Sequence, residues 1–142
     1  MSAYADTSFL VSLYILDANS PEAASRMRRI PLPVIVTPFG ELELATALQL
    51  RLFRRELPSA KTRAAYAAFR DDVNARILAI KPMPPEVYAE ARRLAQKWTR
   101  TLGTRTLDII HVASAMALEA ESFHTFDERQ RRLAKAVKLA VT

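Results

Sequence analysis

Four acidic residues, Asp6, Glu43, Asp108 and Asp127, stand where a carboxylate can be more than surface charge. Asp6 ends a short extended segment (residues 3–5) and precedes an apolar helical run, 9–16. Asp127 repeats that arrangement after the segment 123–126. In open α/β sheets the carboxyl ends of strands face the crevice where ligands bind. Glu43 falls within Phe39, Leu42, Glu43, Thr46, Leu50 and Phe53, the i, i+3, i+4, i+7 spacing of one buried helix stripe. Asp108 lies near the start of a helix that is apolar nearly all round, beside Ile109, Ile110, Val112 and Ala113. Brought together, four carboxylates would suppress one another's ionisation, and a divalent cation relieves that repulsion. Oxygen ligands alone, with no cysteine and no histidines at ligand spacing, favour Mg²⁺ or Mn²⁺ over zinc.

Each acid also has an ordinary reading. Asp6 and Asp127 can simply cap helices, and Asp108 can lie favourably in a helix dipole. Glu43 can be paired with one of the many arginines. Glu41, two positions earlier, competes with it from a second apolar face carrying Leu44, Leu48 and Leu52, a surface for another helix or subunit. Ser8 and Arg105 are candidates to orient a carboxylate or a phosphate; capping and a surface ion pair are the alternatives. His111, one turn after Asp108, either bonds that acid or is satisfied within the core, and His124 occupies a strand.

The elements that must position these residues alternate regularly. Strands are expected at 3–5, 34–36, 76–80, 122–126 and 138–141, and helices after Asp6 and over 21–29, 38–56, 60–74, 85–101, 106–118 and 127–136. Prolines at 21, 38 and 85 open helices, and Gly103 is placed to end one. Such alternation, with connections long enough for parallel crossovers, predicts an α/β fold with a parallel sheet of four or five strands.

Bulk properties narrow the chemistry further. The 142 residues fit a single domain, and half of them are hydrophobic. The absence of cysteine excludes disulfides and thiolate metal sites and fits a reducing cytoplasm. No signal peptide is visible, and the run 9–16 is too short for a membrane span. The net charge is +6, and 16 of the 21 basic residues are arginines, which suits an anionic partner. Two glycines cannot build a glycine-rich phosphate loop or a dinucleotide fingerprint.

Several blocks carry a family resemblance across the whole chain. They are Asp6-Thr7-Ser8-Phe9-Leu10; Thr37-Pro38 with Glu43-Leu44-Ala45; Arg105-Thr106-Leu107-Asp108 through Ala115; and Thr125-Phe126-Asp127-Glu128-Arg129-Gln130 with Leu133-Ala134. In this order and spacing the chain resembles a PIN domain, most of all the VapC-type toxins of bacterial toxin–antitoxin pairs. The resemblance implies an α/β/α sandwich with the first strand central and a metal site at Asp6, Glu43, Asp108 and Asp127. It further implies a Mg²⁺- or Mn²⁺-dependent endoribonuclease, a cognate antitoxin and a homodimer. One departure is Ala136-Val137-Lys138, where relatives often carry a glycine before the last strand. The alternative function is a non-catalytic PIN-fold binding or scaffold module. A phosphatase using Asp6 would resemble D-x-D, and position 8 is Ser.

Overall fold

The computed structural model describes residues 2–142. Five short strands form one parallel sheet: β1 (Ala3–Ala5), β2 (Val34–Val36), β3 (Leu78–Ile80), β4 (Ser122–His124) and β5 (Ala140–Val141). Their spatial order is β3-β2-β1-β4-β5, so β1 is central and the chain winds outward from it in both directions. Tyr4 lies opposite Ile35 on one side and Phe123 on the other. Because side chains alternate along a strand, β1 serves two cores. Ala3 and Ala5 join Val34 and Val36 beneath α1 (Thr7–Tyr14), α2 (Ser20–Met27), α3 (Pro38–Phe53) and α4 (Ser59–Asn74). Tyr4, Ile35 and Phe123 point the other way, toward α5 (Glu86–Leu94), α7 (Thr106–Ala117) and α8 (Glu128–Ala136). The result is the expected α/β/α sandwich.

Between α5 and α7 the helix runs through a π-helical turn, Ala95–Thr99, into α6 (Arg100–Leu102). Gly103 ends it at φ 67, a left-handed conformation that costs glycine nothing sterically. Lys138 adopts φ 67 as well, after α8 and before β5. The missing glycine therefore leaves the turn intact but gives a lysine the backbone conformation a glycine would hold.

The rotation of α3 differs from the sequence expectation. Its buried row is Gly40, Leu44 and Leu48, the latter two almost fully enclosed, whereas Leu42 is 63% and Phe53 83% exposed. The two apolar faces have exchanged roles. Leucines surround this helix on several sides, so periodicity does not choose between them. The choice is made by packing: Leu44 and Leu48 fill the core shared with Phe9, Leu10 and Phe69, and Glu41 is left beside α4, where it pairs with Arg70 at 2.9 Å and accepts from Tyr66. The strand expected over 122–126 also stops early. The Phe126 N–H donates to Ser8 Oγ and the Asp127 N–H to Thr125 Oγ1, which takes those groups out of the sheet ladder.

Leu48→Ala should cost about 2–5 kcal/mol of unfolding free energy, and Leu42→Ala about 0.5 kcal/mol or less in the monomer. Lys138→Gly should gain roughly 0.5–1 kcal/mol, the left-handed penalty less glycine's added chain entropy. Urea denaturation of the three variants reads all of these.

Candidate active site

The central strand delivers Asp6 to the carboxyl edge of the sheet with no exposed surface. Asp6 caps α1, its Oδ1 accepting the Phe9 N–H at 2.9 Å. Ser8 Oγ donates to the same carboxylate at 2.8 Å, and Thr125 Oγ1 donates to Oδ2 at 2.5 Å. Burial raises the carboxyl above its usual range; the charge of His111 and the hydrogen bonds from Thr125, Phe9 and Ser8 oppose that shift.

From Asp6 the site extends through neutral groups. Thr125 Oγ1 also accepts the Asp127 N–H, and Asp127 caps α8, accepting the Gln130 N–H at 3.0 Å. The Gln130 side chain in turn donates from Nε2 to Asp108 Oδ1 at 3.3 Å. Asp108, buried at the start of α7, accepts the Arg105 N–H on its other oxygen at 2.9 Å. Asp6, Asp127 and Asp108 are thus joined in one chain of hydrogen bonds by Thr125 and Gln130.

Glu43 belongs to an adjoining network. It accepts from Thr7 Oγ1 at 2.6 Å and pairs with His111 Nε2, while His111 Nδ1 meets the Tyr4 hydroxyl at 2.8 Å. Burial acts to raise the Glu43 carboxyl, but the hydrogen bond and charge of His111, with the bond from Thr7, outweigh it and hold the group below its usual range. Glu43 therefore pairs with an imidazole and not with an arginine, and His111 bonds Glu43 and not Asp108. Tyr4, buried beside these acids, is held as the neutral phenol, its ionisation pushed up first by burial. Glu41 is occupied with Arg70 and Tyr66.

Each cap occupies one carboxylate oxygen; the second accepts from a side chain in Asp6 and Asp108 and from no described donor in Asp127. Ser8 touches Asp6 directly, while Arg105 reaches Asp108 through its backbone and its side chain is exposed. Among the described residues, no three His, Cys, Asp or Glu side chains form a ready-made metal cage. No protein donor there reaches Asp127 Oδ2 or Glu43 Oε2. The donors present are hard oxygens, which fit Mg²⁺ or Mn²⁺ better than a softer ion. Thr7, Thr125, Gln130 and Tyr4 join the site without having been singled out by residue type. All four lie within three residues of Asp6 or Asp127, and Thr7, Thr125 and Gln130 fall inside the blocks that carry the family resemblance.

The family model for the PIN domain matches residues 3–136. The chain belongs to the PIN-domain family. Solved structures share its fold at low identity. The sarcin–ricin-loop-cleaving toxin VapC20 of Mycobacterium tuberculosis superposes with a TM-score of 0.70 at 18% identity, covering 95% of each chain. A toxin–antitoxin complex from Klebsiella pneumoniae gives 0.70 at 16% identity, over 99% of this PIN domain and 97% of that chain. FitAcB from Neisseria gonorrhoeae gives 0.68 at 18% identity, over 98% and 95%. No curated protein matches the sequence.

Beside the site in β4, His124 is buried between Ser122 and Thr142, and burial, then the charge of Arg26, lowers its pKa from 6.5 to about 4. The folded imidazole stays neutral where the unfolded one is protonated. Stability should therefore fall as pH drops from about 6.5 to about 4, and His124→Gln should flatten that part of the profile. Urea midpoints across this pH range test it.

Proposed function

We propose that this PIN domain is a metal-dependent endoribonuclease, the toxin of a VapBC-type toxin–antitoxin pair. The observation that carries the reading is the gathering of Asp6, Asp108 and Asp127 at one sheet edge, linked by Thr125 and Gln130, with Glu43 alongside. Asp6 and Asp108 are the principal ligands we assign for Mg²⁺ or Mn²⁺, with Glu43 and Asp127 completing the site directly or through water. A cation bound there would activate water for attack on a phosphodiester and stabilise the departing oxygen. The protein's part is orientation and charge. Ser8 and Thr125 aim the Asp6 carboxylate, whose burial disfavours the charged form. His111 and Thr7 hold Glu43 ionised and in place.

RNA is the substrate class supported by the net positive charge and by the RNA cleaved by the neighbouring VapC20 structure. Exposed arginines such as Arg54, Arg55, Arg129 and Arg132 are suited to hold the phosphate backbone away from the acids. An antitoxin partner is supported by the likeness to a toxin–antitoxin complex. A homodimer is supported by the apolar face of α3 left uncovered in the single chain, Leu42, Leu50 and Phe53. The cytoplasm is the compartment we assign, given the absence of cysteine; no described helix is long and apolar enough to cross a membrane.

Asp6→Asn and Asp108→Asn should each abolish Mg²⁺-dependent cleavage of a structured RNA while circular dichroism shows an intact fold, since asparagine still caps a helix. Full activity in either purified variant ends the assignment. The competing reading, a binding module without catalysis, predicts no Mn²⁺ uptake by titration calorimetry. Light scattering at micromolar concentration should give twice 16.0 kDa, and Phe53→Glu should return the monomer; a monomeric wild type overturns the dimer.

A further inference from the structure

We propose that Gln130 is a fifth member of the acidic site, its Nε2 fixing Asp108 and its Oε1 offering a neutral oxygen to the hydrated divalent cation the acids hold. The proposal rests on the metal-dependent reading above. Gln130 lies in the first turn of α8 and is 7% exposed, although its neighbours Glu128 and Arg129 face solvent. A long polar side chain is seldom buried in a first turn unless its polar ends are used.

One end is used. The backbone N–H of Gln130 serves Asp127 Oδ1 and its side-chain Nε2 serves Asp108 Oδ1, so one residue spans two of the acids. That contact also fixes which way the amide faces. Turned over, it would set a carbonyl oxygen against a carboxylate oxygen with no proton between them. The other end is not used: Oε1 is buried and accepts from no group among the described residues. A buried carbonyl without a donor has lost its hydration and gained nothing in return. Beside Asp108, the complement to that oxygen is positive charge, either a cation or the polarised protons of its water. Amide carbonyls are ordinary partners of hard cations. A neutral oxygen also adds a ligand without adding to the repulsion among the acids.

The test compares the full-length wild type with Gln130→Glu and Gln130→Met by Mn²⁺ titration calorimetry and by thermal melting with and without Mn²⁺. Gln130→Met keeps the volume but removes both polar ends, and should weaken Mn²⁺ binding by about 10-fold or more. Gln130→Glu keeps an oxygen but loses the donor to Asp108. It should bind Mn²⁺ at least as tightly as wild type, melt lower without metal because two carboxylates then face each other, and recover on adding Mn²⁺. Equal weakening in both variants would leave only the amide protons at work and overturn the oxygen's part. Wild-type affinity in both would mean that an ordinary water satisfies Oε1, and overturns the proposal alone. Failure of the wild type to take up Mn²⁺ overturns the metal reading and this proposal together. If Gln130→Met does not fold, the melting pair for Gln130→Glu still decides.

Discussion

A carboxylate with no solvent contact, Asp6 at the end of the central strand, is the constraint on which the rest of the site depends. Enclosing it removes its hydration, and only short, well-aimed hydrogen bonds offset that loss, each to a charged acceptor contributing about 1.5–3 kcal/mol. Ser8 and the Phe9 N–H come from the following helix, so they are local. Thr125 comes from 119 residues further along the chain, and it arrives only because β4 pairs beside β1. The same hydroxyl accepts the Asp127 N–H, which fixes where α8 begins. Satisfying one buried acid therefore settles the position of the next.

The central strand couples the two faces of the sheet to this edge. Ala3 and Ala5 are small and let α1 lie close, while Tyr4 passes through to the opposite core, stacks on Phe123 and meets His111. His111 then reaches Glu43 on α3. A core tyrosine and a core histidine thus transmit the register of the sheet to an acid at the rim. The packing that stabilises the fold also orients the carboxylate.

The alternation of strands and helices and most helix starts were legible in the sequence because local chemistry decides them: β-branched runs, prolines at first helical positions, acids and hydroxyls at caps, and a glycine after Leu102. Asp6, Asp108 and Asp127 stood out for the same reason, at strand ends and a helix start, whereas the stripe that singled out Glu43 is the exposed one. The PIN-family pattern joined them into a set.

Tertiary structure alone decided what each acid touches. Periodicity on α3 offered two apolar faces, and packing against Phe9, Leu10 and Phe69 selected the one carrying Leu44 and Leu48. Glu43 found His111, not an arginine, because the partner was set by the approach of α7 to α3 and not by the abundance of any residue type. Gln130 and Thr125 became bridges because strands and helices far apart in sequence meet at one edge. The sequence by itself determined where carboxylates stand at strand ends and helix starts. Their partners had to wait for the fold, since a hydrogen bond depends on distance and direction and no local pattern carries either across a hundred residues.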